Sequence, residues 1–453
     1  MMAEESNDCE SGCCKCCMFT LSLLLTLGIG LGVFFAVFYL WGDELDQIAA
    51  RYQNQTTAAN FSKLTSDGRD EIIRPGPDLE DLQRLEQGKG LWKHDSSFHN
   101  GLVRRVNRKD ELPTWEAGYN KYAVHLPEGI SAEEAFGDGA KISEQERDLA
   151  ESILNDSKVF LHSKQHRRKL NKMDAKQLPE EFTAILQWPQ CSSIQMIHNQ
   201  GGCGSSWAIA AASVISDRIC IKGANKGSAV SVVASAQDFI SCCQYCGHGC
   251  FGPNKYTEIG PFIKWRDEGV VTGGSFGSNE GCLPYGVSSD CGTPCSPATY
   301  SKNHTLPCTG KCNKLYDKTY AEDKYYGTKA YWISANGSAR KAFSEYKNED
   351  IFELTTEERA VLLKKEIYKH GPVMGCFDLM EDFQHYKSGI YRHVAGKALY
   401  NHCARIIGWG IEGKHPYWIL VNSWGRNWGE NGKFRLHQNM TPVTLLAGLP
   451  RLK

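Results

Sequence analysis

An uncharged apolar run, MFTLSLLLTLGIGLGVFFAVFYLW, extends from Met18 to Trp41. A helix that crosses a bilayer needs about 20 such residues, whereas the apolar heart of a cleaved signal peptide has about 7–15. The run predicts a transmembrane signal anchor over 18–41. No small-x-small cleavage pattern closes it at Tyr39-Leu40-Trp41, although a cleaved signal peptide is the alternative. Residues 42–111 are polar, charged and broken by Arg74-Pro75-Gly76-Pro77, the pattern of a stalk rather than a packed core. Helical periodicity appears later, where Trp207, Ala211, Val214, Ile215 and Ile219 recur at spacings that mark one buried face of a helix starting at Ser205-Ser206. Thr355-Thr356-Glu357-Glu358 is a capping box ahead of a second apolar-periodic helix, and Gly371-Pro372 stops it. After Pro372 the pattern turns to strands at Cys403–Trp409, Tyr417–Val421 and Lys433–Leu436. A helical half followed by a β-rich half, with a cleft between them, is an α+β architecture.

Charge excludes one class of partner. With 51 basic and 52 acidic residues the net charge is −1, so nothing steers the chain toward nucleic acid. The 19 cysteines refine the domain picture: five lie between Cys9 and Cys17, none between 18 and 190, and the rest follow. The tail 1–17 is therefore a cysteine-rich segment beside the membrane, either palmitoylated or carrying unmodified thiols. Lys15 before the span and Arg51 after it orient the chain weakly. Sequons orient it better. Asn54, Asn60, Asn155, Asn303 and Asn336 all follow the span, as does Asn439, which Pro442 weakens. The expected topology is type II, with a cytosolic tail and a lumenal or extracellular remainder, at an endolysosomal membrane or the cell surface. The basic run Lys164 to Lys169 reads as a solvated face, with a processing site as its rival.

Chemistry concentrates at Gln200-Gly201-Gly202-Cys203-Gly204-Ser205-Ser206-Trp207. This is the nucleophile signature C-G-[SA]-C-[WY] with Ser206 in place of the second cysteine. A thiol at a helix N-terminus beside an imidazolium falls from pKa ~8.5 toward ~3.5–7.5 and rests as a thiolate. A hydroxyl cannot be ionised that way and needs a general base at the moment of attack. On this motif the chain resembles the papain family, and across 178–453 its cathepsin B-like members. The resemblance also runs through Gln187-Trp-Pro-Gln-Cys191, Ile215-Ser-Asp-Arg-Ile-Cys220, Cys242-Cys243-x-x-Cys246-x-x-x-Cys250, Gly281-Cys282-Leu-Pro-Tyr285, Ala404-Arg-Ile-Ile-Gly-Trp-Gly410, Asn422-Ser-Trp-Gly425 and Ala447-Gly-Leu-Pro450. Trp115 to Asn120 resembles the family's propeptide, making 112–177 a propeptide-like segment that in the family lies through the cleft.

The resemblance implies a papain-like fold of two subdomains, with His402 as the catalytic histidine and Asn422 orienting it. It assigns Gln200 to the oxyanion hole and Trp424 to the shield over the pair. It also implies the disulfides Cys191–Cys220, Cys203–Cys250, Cys242–Cys308, Cys243–Cys246, Cys282–Cys312 and Cys291–Cys295, leaving Cys376 and Cys403 as buried thiols. The rival for part of this set is zinc held by Cys243, Cys246, His248 and Cys250; the expectation is bridges, with no metal and no cofactor. Besides Ser206, two departures stand out. The family's Cys-x-Gly-Gly, which pairs with an extended substrate, reads Cys250-Phe251-Gly252-Pro253, and Pro253 has no N–H to donate. The loop from Cys291 to Cys308 lacks the His-His pair that captures a substrate's C-terminal carboxylate; only His304 stands there. Three functions follow: a membrane-anchored pseudopeptidase binding a peptide or protein in its cleft, a hydrolase using Ser206, His402 and Asn422, or an adhesion protein like the tubulointerstitial nephritis antigen group. That last group carries a cysteine-rich module before its peptidase-like domain, where this chain has none.

Overall fold

The computed structural model describes residues 88–108, 114–131, 135, 152–154, 158–243, 245–252, 258–300, 305–335 and 354–452. The tail, the apolar run 18–41, Pro253, His304 and the sequons Asn54, Asn60, Asn155, Asn303 and Asn336 lie outside the described residues. Among the described residues no helix is long and apolar enough to cross a membrane.

The first described element lies inside the segment read as a stalk and packs one face over 96–106. Helix α1, Ser96–Val106, starts where Asp95 accepts from the Ser97 and Phe98 N–H groups, and it buries His99, Leu102 and Val106. Its apolar positions sit among arginines and asparagines, so a polar composition hides one packed face. Strand β1, Trp115–Ala117, follows, and then α2, Val159–Asn171. The basic run lies on α2, whose His166 and Arg167 are buried, so only part of it is a solvated face. The Ser163 hydroxyl of α2 accepts from Trp332 N–H, tying the helix to strand β3, Gly327–Ser334.

Strand β2, Phe182–Thr183, opens the cysteine-rich portion, and helix α3, Ser206–Ala224, runs through its centre. The sequence predicts one buried face on α3, and the structure buries nearly all of it. The polar positions are tolerated because they are paired. Asp217 meets Arg405 at 2.7 Å and accepts from Ser193 Oγ, while Arg218 meets Glu366 at 2.8 Å and donates to the Pro372 and Gly448 carbonyls. Burial alone would raise the Glu366 carboxyl, but neighbouring His166 and Arg218 hold it well below the usual range. His166 Nε2 lies 2.6 Å from Glu366, so α2 is bonded into the same buried network.

Helices α4, Ala236–Cys242, and α5, Gly260–Asp267, complete the helical half around α3. Helix α6, Thr356–His370, has its capping box: the Glu358 N–H donates to Thr355 Oγ1 and the Thr355 N–H to the Glu358 carboxylate. It ends at Gly371, whose φ of 93° is open to glycine and strained for other residues. The β-rich half then forms from β4 Val373–Met380, β5 Tyr386–Tyr391, β6 Ala398–Glu412, β7 His415–Val421, β8 Lys433–His437 and β9 Thr444–Pro450. The strand order is β1-β5-β8-β7-β6-β4-β9-β3, with β2 added to β6. Only β5 and β8 run parallel in this sheet; the other pairs are antiparallel.

Among the described residues seven disulfides are present. Six are the pairs named above; the seventh joins Cys376 to Cys403, which corrects the reading of those two as thiols. They face each other in register across β4 and β6, at a Cα separation of 4.0 Å. Cys243, Cys246 and Cys250 are bonded to other cysteines, so the zinc reading has no free thiolate there.

Candidate active site

Two elements from different halves bring the site together. Helix α3 begins with Ser206, and strand β6 carries His402 past it. Ser206 is 6% exposed, and its Oγ accepts the backbone N–H of Cys403 at 3.3 Å. Among the described residues no hydrogen bond joins Ser206 Oγ to His402. The Cys403 side chain points to the other face of the strand, into its disulfide, so it offers no substitute thiol.

His402 is oriented as an active-site base would be. Asn422 Oδ1 accepts from the Ser423 N–H at 2.8 Å and lies 2.8 Å from His402 Nε2, so that nitrogen carries the proton and Nδ1 presents its lone pair. Trp424 covers the pair, its ring 5.2 Å from the imidazole, and Phe377 flanks it on β4. Burial pushes His402 down to about 4, against the Asn422 bond, which favours the charged form. The ring is neutral at pH 7. An ionised thiolate would normally hold such a ring charged, and here there is no thiol to do so.

Gln200 is placed by its backbone N–H on Ser423 O and by Ser423 Oγ on its side-chain oxygen. Its amide nitrogen donates to Cys203 O at 2.9 Å and lies 3.5 Å from the Tyr300 hydroxyl. The oxyanion-stabilising donor of the family is thus engaged within the chain. Tyr300 belongs to the loop from Cys291 to Cys308 and is 4% exposed. A Cβ at Gly204 would stand 3.1 Å from its ring and 2.6 Å from Cys250 O, so glycine is required there. Burial raises the Tyr300 hydroxyl far above its ordinary value, keeping it neutral. Tyr400, on the same face of β6 as His402, interacts with Tyr300, and its hydroxyl too is raised by burial and by that neighbour. Tyr300 therefore packs against the loop from Gln200 to Gly204 that leads into the nucleophile position.

Sequence reasoning did not single out Tyr300, Tyr400, Tyr285 or Ser423. Tyr285 holds the nucleophile loop: its hydroxyl donates to Gln200 O at 2.7 Å and meets Ser205 Oγ at 2.6 Å. The motif Gly281-Cys282-Leu-Pro-Tyr285 contained it, but only its position shows the role. Of the two residues expected to line the substrate wall, Gly252 follows the Cys203–Cys250 bridge with a φ of 107°, and Pro253 lies outside the described residues.

The propeptide-like segment docks on the β-rich half. Trp115 and Glu116 of β1 pair with Gly389 and Ser388 of β5, and Trp115 Nε1 donates to Arg392 O. Asn120 Nδ2 donates to Thr293 O at 2.7 Å and to Gln384 O at 3.0 Å, so the segment also grips the loop that carries Tyr300.

A central helix with the nucleophile position at its N-terminus, facing a histidine–asparagine pair on a sheet, defines a papain-type two-subdomain α+β protein. The chain belongs to the papain family of cysteine proteases, whose profile matches residues 178–447. It is 36% identical over 294 residues to the gut-specific cysteine proteinase of Caenorhabditis elegans, covering 65% of this chain and 79% of that one. It is 40% identical over 265 residues to cathepsin B-like cysteine proteinase 1 of Ostertagia ostertagi, covering 58% of this chain and 69% of that one. The fold is similar to that of procathepsin B S9 from Trypanosoma congolense, with a TM-score of 0.51 at 23% identity, over 80% of this chain and 99% of that one.

Proposed function

We propose that this cathepsin B-like protein is a membrane-anchored pseudopeptidase, a cleft that holds an extended peptide or protein segment without efficient hydrolysis. The observation that carries the reading is the nucleophile position. Ser206 sits at the helix end where a thiolate would rest, bonded to the Cys403 N–H, opposite a neutral histidine. The engaged Gln200 amide and the Tyr300 hydroxyl beside it support it further. The anchor is the uncharged run 18–41, with every sequon on its C-terminal side. The relatives carry the name of cysteine proteinases, and the chemistry that name implies needs the sulfur this chain lacks at 206.

A second reading has its own support. His402 presents Nδ1 as a bare lone pair while Asn422 fixes Nε2–H, the tautomer a general base for a serine hydroxyl requires. Incubating the chain, with residues 88–177 removed, with a mixed peptide library and analysing what it retains by mass spectrometry separates the two. The pseudopeptidase reading expects retained peptides to elute intact. Recovery of fragments with new termini would favour the Ser206 hydrolase, and retention of nothing would remove the binding role.

A further inference from the structure

Helix α2 meets the last turn of α6 through side chains that the Ser206 site does not use. Glu366 and His370 stand four residues apart, on one face of α6, and His166 reaches them from α2. One ligating atom from each lies within 4.8 Å of the other two, the one such group of three among the described residues. His166 and Glu366 are buried, and His370 is half-buried at the helix end. Tyr331 of β3 organises the group. Its ring lies against the His166 imidazole, centroids 3.9 Å apart, and its hydroxyl donates to Glu366 Oε1 at 2.7 Å. Arg218 bonds that same oxygen at 2.8 Å, which leaves Oε2 to face His166 Nε2 at 2.6 Å. The His370 ring stands 5.2 Å from the His166 ring.

We propose that His166, Glu366 and His370 are the protein ligands of a divalent transition-metal site of the zinc class that clamps α2 to α6. Two imidazoles and one carboxylate are a donor set that zinc takes with its fourth position open, whereas calcium and magnesium take oxygen. A ligating carboxylate needs its other oxygen held from outside, and Arg218 and Tyr331 hold Oε1 in that way. The Arg218 charge opposes a cation, and it is shared with the Gly371, Pro372 and Gly448 carbonyls, to which the guanidinium donates. The last turn of α6 favours one, because its terminal carbonyls form the negative end of the helix dipole. Burial pushes His370 down to about 4, so at pH 7 the ring presents a lone pair rather than a charge.

The metal takes the place of a proton. Tetrahedral zinc, about 2.0–2.2 Å from nitrogen and oxygen, sets neighbouring ligand atoms about 3.4 Å apart. The bond between His166 Nε2 and Glu366 Oε2 must therefore open by about 0.8 Å, while His370 closes in from the helix end. The proton between them passes to His166 Nδ1, or to solvent where Nδ1 already carries one. A hydrogen bond joins the two helices without the metal, and coordination joins them with it. The site stands independently of any activity at Ser206.

Zinc competition on the full chain in detergent tests it, with the thiols from Cys9 to Cys17 blocked by N-ethylmaleimide so that they cannot take the metal. After stripping and dialysis, titration against a chromophoric chelator should find one zinc held per chain. Co2+ in its place should give the visible d–d bands of a four-coordinate nitrogen–oxygen site. His370→Ala, at the half-buried end of α6, should weaken zinc binding by more than about tenfold and abolish those bands. Zinc should also raise the wild-type Tm and slow hydrogen exchange over 159–171, and do neither in the variant. Should His370→Ala not fold, His370→Gln is read in the same way. A wild-type chain that holds no zinc against the chelator would overturn the proposal, as would a folded variant that holds it as tightly as wild type.

Discussion

Ser206→Cys is expected to yield a reactive thiol without an efficient peptidase. The new sulfur would stand at the N-terminus of α3, beside His402 held by Asn422. Those neighbours lower a thiol from pKa ~8.5 to as little as ~3.5–7.5. At pH 6 that raises the thiolate fraction by about 10- to 300-fold over an ordinary cysteine, and alkylation by somewhat less, since nucleophilicity falls with the pKa. Peptide turnover is a different matter. The Gln200 amide is directed to Cys203 O and Tyr300, and loss of one oxyanion donor costs about 10²–10³ in rate. Measured with residues 88–177 removed by cleavage, kcat/KM should stay at least about 10² below that of a papain-family relative on the same peptides. Adding Tyr300→Gly should recover part of the difference. Turnover by Ser206→Cys alone at the relative's level would show that the nucleophile was the only lesion.

Glu366→Gln should destabilise the fold by about 3–5 kcal/mol, because it leaves the Arg218 guanidinium buried and uncompensated. Both side chains of that pair are 0% exposed, and the carboxylate also receives the Tyr331 hydroxyl and bonds His166 of α2. Denaturant unfolding of the variant measures the loss. Replacing both partners, as Arg218→Met with Glu366→Leu, should recover most of it, since a buried pair exchanged for apolar bulk is commonly neutral or better. A loss below about 1 kcal/mol for Glu366→Gln would mean that water or another anion reaches Arg218.

The parts of this molecule written locally are legible in the chain. Thr355 and Glu358 cap a helix three residues apart, and strands around His402 and Tyr417 follow from their apolar runs. The positions of Ser206, His402, Asn422 and Trp424 were reached through a resemblance carried by short motifs. What depends on register or on loop placement was not legible. Cys376 and Cys403 meet only because β4 and β6 pair with those residues opposite each other. Tyr300 reaches Gln200 from a loop without periodicity, and His99 meets His385 from 286 residues away in sequence. Helix α1 escaped because its few apolar positions sit among charges, and sequence polarity was taken for exposure. The burial of Asp217 and Arg218 on α3 was not legible either, since it depends on partners far along the chain.

The most direct test of the central claim compares wild type with Ser206→Ala. With residues 88–177 removed from both, each is given the same pool of fluorogenic peptides, and a fluorophosphonate is then mapped by mass spectrometry. The account predicts equal rates for the two proteins and no label on Ser206. A wild-type rate at least about tenfold above Ser206→Ala, abolished by a fluorophosphonate that labels Ser206, would contradict it and make the chain a serine hydrolase on a cysteine-protease scaffold.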